Sequence, residues 1–334
     1  MAHLHRLVLG TVLAVLAVVA CGAARAADPD KLLPASSDTV VQINLRQLLD
    51  SDISKKYALE QIKQALDGQS LKDAMAEFGL NPLKDLDQLI IAGSGTSRED
   101  TKLFFILHGK FNPEKLYQAA EAQTRKEPDK ISKVLDGDTV MFKFIPENAV
   151  VPQLFITVID ENTVIAASEQ KEIKLAVRAS KDDDGANLKK KELAALIRKL
   201  DGKATIIAAT VVKGKLDDAR LPGGGNLPLD LSSFQDLLPK VETMSLSIEV
   251  KSDIFIEMTV GMKDDNSAAD FRAALDQLLK QLKPLAQLGG AADPRFKPLT
   301  DVLNTFRTSN RKSDVTIIGK VTGANIGKMI NPDE

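Results

Sequence analysis

Few residues in this chain have the types and spacing to do chemistry, and each set has a simpler structural account. His108 is the only histidine beyond residue 5, so any Ser-His-Asp site would need it as the base. It closes the apolar run Leu103-Phe104-Phe105-Ile106-Leu107 and precedes Gly109, which suits a strand-end histidine with one ring nitrogen hydrogen-bonded. Ser168-Glu169-Gln170-Lys171 has the S-x-x-K spacing of serine acylases but lacks the S-D-N and K-T-G companions. Ser168 is expected instead to cap a helix beginning at Glu169. Asp136, Asp138 and Glu257 are candidate carboxylates for a hydrolase, although Asp136-Gly137-Asp138 also reads as a hairpin turn. Asp182-Asp183-Asp184-Gly185 lacks the alternating acids and final Glu of a calcium loop and reads as a solvated connection. Gly93-Ser94-Gly95 has no third glycine, and Gly223-Gly224-Gly225 has no following Lys-Ser/Thr, so neither is a phosphate loop. No catalytic, metal-binding or cofactor-binding residue is assigned, and no cofactor is expected.

The first 26 residues narrow the chemistry further. Arg6 precedes an apolar run from Leu7 to Ala20, and Ala24-Arg25-Ala26 is a small-x-small cleavage site before Ala27. A basic start, an apolar core of about 7–15 residues and an A-x-A end define a secretory signal peptide. The expected cleavage falls between Ala26 and Ala27, giving an exported protein, periplasmic or secreted. An alternative lies in Val18-Val19-Ala20-Cys21, a loose lipobox that would acylate Cys21 and anchor the protein in the envelope. Cys21 is the only cysteine of the chain, so an exported form has no disulfide and must rely on its hydrophobic core. The chain carries 44 Lys and Arg against 46 Asp and Glu, and removing Arg6 and Arg25 makes it more acidic. No basic face for nucleic acid is visible. The one dense cluster, Lys189-Lys190-Lys191, reads as a solvated helix start. A membrane contact is expected only through a lipid on Cys21.

Periodicity supplies the elements. After a polar linker over 27–37, Val40 to Leu45 reads as a strand, and Ile53, Tyr57, Ile62 and Leu66 fall on one helical face that continues to Phe78. Leu89–Ala92 and Leu103–Leu107 are strands, and Asn112-Pro113 opens a helix to about Gln123. Strands follow at Val140–Ile145, Leu154–Ile159 and Thr163–Ala167. The second half alternates cleanly. Met244, Leu246, Ile248 and Val250, then Ile254, Ile256, Met258 and Val260, predict a sheet with one buried and one wet face. A Leu-rich helix carries Phe271, Leu275, Leu278 and Leu282, with Pro284 expected to kink or end it. Leu221 to Pro228 reads as an exposed loop, and a last strand covers Val315–Val321. Hairpin-then-helix occurs in both halves, consistent with a diverged internal repeat.

Leu33-Pro34-Ala35-Ser36-Ser37-Asp38-Thr39-Val40-Val41, with Leu48-Leu49-Asp50-Ser51 and Leu80-Asn81-Pro82-Leu83-Lys84-Asp85-Leu86-Asp87, resembles a family of exported bacterial proteins whose mature part opens with a Leu-Pro-Ala-x-x-Asp-Thr strand. That resemblance implies an envelope location and a repeated α+β build, and it transfers no catalytic residue. The expected fold is α+β: antiparallel sheets with helices on one face. The expected organisation is a signal peptide (1–26), a linker (27–37), an N-terminal subdomain (38–185) and a C-terminal subdomain (186–330). The expected function is a non-enzymatic envelope role with an unknown protein or apolar ligand as partner. One alternative is a lipid carrier whose cavity is lined by Leu103 to Leu107 and the Leu-rich helix; the other is a carboxylate-dependent hydrolase. The mass of protein purified from its host's envelope is expected to begin at Ala27. A lipid-modified mass beginning at Cys21 would replace the soluble form with the anchored one.

Overall fold

A computed structural model describes residues 26–66, 68–95, 100–147, 151–182, 188–217, 219, 231–293 and 296–330. Cys21, most of the signal sequence, residues 183–185 of the acidic run and the loop 221–228 lie outside the described residues. The architecture is α+β, built on one sheet of twelve strands joined by antiparallel pairings. In chain order the strands are β1 (Thr39–Asn44), β2 (Leu86–Ser94), β3 (Lys102–Gly109), β4 (Ile131–Asp136), β5 (Thr139–Phe144), β6 (Leu154–Asp160), β7 (Thr163–Ala167), β8 (Ile206–Val211), β9 (Val241–Val250), β10 (Asp253–Met262), β11 (Arg307–Arg311) and β12 (Asp314–Thr322). Across the sheet they run β11-β12-β10-β9-β8-β1-β2-β3-β7-β6-β5-β4.

The first strand is therefore central. Thr39 through Ile43 pair on one side with Gly93 through Leu89 and on the other with Thr210 through Ile206. Each flank then follows a similar order: three adjacent strands, a helical connection (one helix, Pro113–Lys126, in the first and two, Asp265–Ala292 and Lys297–Thr305, in the second), and returning strands whose last member pairs with the third. One flank returns through four strands and the other through two.

Local chemistry sets the helices. Five short ones link β1 to β2: α1 (Leu45–Asp50), α2 (Asp52–Tyr57), α3 (Leu59–Leu66), α4 (Gln69–Phe78) and α5 (Pro82–Asp85). Side-chain oxygens of Asn44, Ser51 and Asn81 accept the first free N–H groups of α1, α2 and α5, and the helical face expected from Ile53 to Phe78 is divided among α2, α3 and α4. Helix α6 (Pro113–Lys126) starts as its Asn-Pro pair predicts, with the Asn112 side chain accepting from Lys115 N at 3.0 Å. Then come α7 (Gln170–Lys181), α8 (Lys191–Lys199), α9 (Ser232–Gln235), α10 (Asp265–Ala292), α11 (Lys297–Thr305) and α12 (Gly323–Ile330). Pro284 does not end α10, which continues to Ala292.

The two faces of the sheet differ. On one, Val40, Ile90, Ala92, Phe104, Ile106, Ile165 and Ile207 are buried with Ile173 and Ala176 of α7 and Leu193 and Ile197 of α8. Each large aliphatic side chain fully buried there contributes about 1.5–3 kcal/mol. This core joins residues on both sides of position 186, because α8 and β8 belong to it. The segment 27–37, expected as a linker, is a packed arm. Ala27, Leu32 and Leu33 are buried in the same core, Ala26 bridges to Asp201, and Ala27 N donates to Leu200 O at 3.1 Å. On the opposite face α10 packs Ala268, Phe271 and Ala274 against Val241, Val260, Met262 and Val315.

One ion cluster locks arm, central strand and flanks together. Asp38, 7% exposed, receives the ammonium groups of Lys190 and of Lys215, the latter at 2.5 Å. Lys215 also donates to Gly95 O at 3.1 Å. Lys190 thus turns inward, correcting the expectation of a solvated lysine run. Burial works to raise the Asp38 pKa, but the hydrogen bonds from Lys190 and Lys215 outweigh it and hold the carboxyl below its ordinary 3.8. A depressed folded-state pKa contributes stability that is present above the ordinary value and is lost as pH falls through the folded one. Asp38→Asn is expected to cost about 1–3 kcal/mol in urea unfolding at neutral pH. That difference should shrink in acid below pH 3.8; a constant difference would assign the loss to packing instead.

Candidate functional site

An apolar opening lies beneath α6, on the face opposite the main core. It is about 480 Å³, within the range of roughly 300–1,000 Å³ typical of small-molecule sites. Leu116, Tyr117, Ala120 and Gln123 of α6 form its roof, and Phe78 at the end of α4 forms one wall. Phe142 and Phe144 of β5, Ile156 and Val158 of β6 and Val164 of β7 form its floor. Period-two alternation explains this floor. Met141, Phe155 and Ile165 enter the buried core, so their neighbours in sequence must face α6. On the roof, positions 116, 120 and 123 share one helical stripe.

Polar groups stay at the rim or bond within the protein. Glu77 accepts from Gln123 Nε2 at 2.9 Å and from Lys126 Nζ at 2.8 Å, tying α4 to α6 beside the opening. Glu127 pairs with Lys130 at 3.1 Å. Thr157 Oγ1 donates to Val140 O at 2.7 Å, and Tyr117 Oη reaches Val158 O at 3.4 Å. Among the described residues no buried side-chain polar atom lacks a hydrogen-bond partner. The pocket's lining is therefore mainly apolar, and the polar residues that touch it, Tyr117, Gln123, Glu127 and Thr157, bond within the protein.

The residues singled out in the sequence lie elsewhere. Asp136 bonds Gln170 Nε2 at 2.7 Å and the Lys174 ammonium, while Asp138 is exposed at the β4–β5 turn, where Gly137 takes φ 59°. Glu257 is exposed on β10, with eight strands between it and β4, so the three candidate carboxylates do not converge. Ser168 does not cap a helix; its Oγ accepts from Leu103 N at 3.1 Å and prolongs the β3–β7 ladder, and α7 starts after Glu169. Gly93 and Ser94 end β2, and Gly95 offers its carbonyl to Lys215. Leu103 to Leu107 and the long α10 are not among the residues lining the pocket beneath α6. Among the described residues, no group of three His, Cys, Asp or Glu could hold a metal ion. No described helix is long and apolar enough to cross a membrane.

His108 occupies a different kind of site. Its Nε2 lies 2.8 Å from Asp30 Oδ2, and its Nδ1 lies 3.4 Å from Thr163 Oγ1. The order hydroxyl, imidazole, carboxylate resembles a catalytic relay, but Thr163 is only 7% exposed and its hydroxyl is not open to a substrate. The arrangement is a clamp fastening the arm to β3 and β7. No protein-family model, curated protein or solved structure matches the chain.

The hydrogen bond to Asp30 outweighs burial and, with Asp160 and the Asn162 backbone nearby, raises the His108 pKa above 6.5. A raised folded-state pKa contributes stability that is complete below the unfolded value and is lost as pH rises through the folded one. Because His108 is the only histidine after residue 5, one imidazole resonance should titrate in the mature protein, with its midpoint above 6.5. Asp30→Asn should move that midpoint down, and the stability gap between wild type and His108→Gln should narrow as pH rises past it. An unmoved midpoint in Asp30→Asn would remove Asp30 as the cause.

Proposed function

We propose that this chain is an exported, non-enzymatic binding protein of the cell envelope whose pocket beneath α6 takes an apolar small molecule. One observation carries the reading: an open space of about 480 Å³ walled by aromatic and aliphatic side chains, with its polar groups already bonded. An apolar ligand displaces weakly held water from such a wall and gains roughly 25 cal/mol for each Å² removed from water. The scattered placement of Asp136, Asp138 and Glu257 gives the hydrolase reading no comparable support. Export rests on the leader-like first 26 residues, with release at Ala26–Ala27 or, in the alternative, a lipid on Cys21. We also read the two flanks of the sheet as diverged copies of one unit, supported by their matching order of strands and helices about the β1–β8 pair.

The neutral fluorophore N-phenyl-1-naphthylamine tests the pocket directly. Wild type is expected to bind it with a blue-shifted emission. Ala120→Trp, which fills the space from the roof without adding charge, should weaken binding at least tenfold while preserving the circular dichroism spectrum. Equal binding by both proteins would place the probe outside this pocket. No uptake by the wild type would remove the reading altogether.

A further inference from the structure

The pocket floor does not end at β7. Strand register continues it across the middle of the sheet as rows of directly opposed apolar side chains. One row runs from Ala166 in β7 through Phe105, Ile91 and Val41 to Ala208 and Leu246. It begins at the pocket residue Ile156 in β6 and ends at Met258 in β10. The row beside it runs Val164, Leu107, Leu89, Ile43, Ile206 and Ile248, again without a polar member.

Burial separates these rows from the face behind them. Their neighbours in sequence, such as Ile165, Ile106, Ile90, Val40 and Ile207, are buried in the core. Every residue of both rows is half-exposed. An antiparallel sheet with one solvated face normally alternates apolar with polar residues. Here the more open face is apolar over eight successive strands. A second hollow of about 210 Å³, touching Thr39, Ala208, Met244, Leu246 and Met258, lies toward the far end. The distance from Ile156 to Met258 spans seven inter-strand spacings, about 34 Å. A bilayer's hydrocarbon core is roughly 30 Å for two opposed chains, so one chain layer is about half the length of this floor.

We propose that the apolar ligand is a membrane lipid whose hydrocarbon chain starts in the pocket beneath α6 and lies across the near half of the floor, over β7, β3, β2 and β1. This rests on the reading of the α6 pocket as a ligand site. Three features favour a hydrocarbon chain over a peptide. The floor belongs to interior strands whose backbone groups pair with neighbours on both sides, so it offers no edge for an added strand. Neither row contains a charged or hydrogen-bonding side chain to fix a polar chain. The floor is also continuous with the pocket beneath α6, so one long molecule can occupy both. Affinity should therefore rise with chain length, by up to about fourfold per buried methylene, until the floor is filled.

The experiment compares octanoate, oleate and a dioleoyl phospholipid on the full exported protein by isothermal titration. Ile91→Arg places a charge on the floor in β2, three strands from the pocket strand β6; Val41→Gln, one strand further on, serves the same purpose should Ile91→Arg fail to fold. The expected result is tighter binding of the long chains and at least a tenfold loss for them in Ile91→Arg, with octanoate unchanged. Ala120→Trp should weaken all three. A diazirine at the terminal carbon of a long fatty acid should label peptides of β3, β2 and β1 in the wild type. Long-chain binding indifferent to Ile91→Arg, with labelling confined to α6, β5 and β6, would overturn the trough and leave the pocket standing. No binding of any chain by the wild type would overturn both.

Discussion

The structure depends on the double pairing of β1. A strand that hydrogen-bonds on both sides fixes the register of two flanks at once, and a slip of one residue would exchange every buried side chain for one on the open face. Asp38 stands at its entry. Its backbone N–H donates to Gly93 O and its carbonyl accepts from Val211 N, at 2.8 and 2.9 Å, while its carboxylate gathers Lys190 and Lys215. The rest of the Leu-Pro-Ala-x-x-Asp-Thr element has equally concrete duties. Leu33 is buried, Pro34 O accepts from both Ser37 N and Ser37 Oγ, Ala35 O accepts from Lys189 N, and Thr39 Oγ1 meets Thr210 Oγ1 at 2.7 Å. This is a seam that joins the arm, both flanks and the start of α8. Its residues have structural reasons to be what they are, and none needs a catalytic one.

Much of the fold was legible because local signals and tertiary outcome agree. The Asn-Pro start of α6, the hairpin turn at Gly137 and the alternation of β9 and β10 each follow from a few neighbouring residues. Other elements were hidden because their reasons are distant. β4 carries Ser132 and Lys133 beside an exposed Leu135, so it shows no clean alternation. β8 is apolar on both faces, one set buried and one set over the floor, and so lacks the half-polar pattern of a surface strand. Lys190 and Asp38 are 152 positions apart, and His108 and Asp30 are 78 apart. The α6 pocket likewise draws on α4, α6 and three strands; the sequence suggests an apolar lining without saying which faces meet. In β9 and β10 burial also departs from the simple buried-and-wet alternation of their residues. Val250 and Val260 are buried, but Leu246, Ile248 and Ile256 between them are half-exposed.

The arm that follows the expected cleavage point belongs to the same core. Ala27 is already a buried residue, so the fold begins almost at the expected cleavage point. An α-ammonium created at Ala27 retains donors for the Leu200 carbonyl, which now accepts the Ala27 amide. Cleavage there and docking of the arm are chemically compatible. With Cys21 acylated instead, the six steps from Cys21 to Ala27 span at most about 20 Å. The core and its open face would then stay close to the membrane surface, where a hydrophobic ligand would come from.

The contrast between the two faces bears most on function. α7 and α8 bury one side of the central strands, whereas α6 and α10 cover opposite ends of the other and leave apolar rows between them half-exposed. Apolar surface left in water forgoes the stabilisation its burial would bring, and contiguous patches of it usually mark interaction sites. A protein needing only a stable sheet could place Ser, Thr or Lys at these positions at little cost, as β9 does on its reverse side with Ser245, Ser247 and Glu249. Keeping Val, Ile, Leu and Phe in register across the centre makes sense if something apolar covers them. An occupant in contact with β2 and β1 would bind the folded state alone and stabilise the seam on which the two flanks depend.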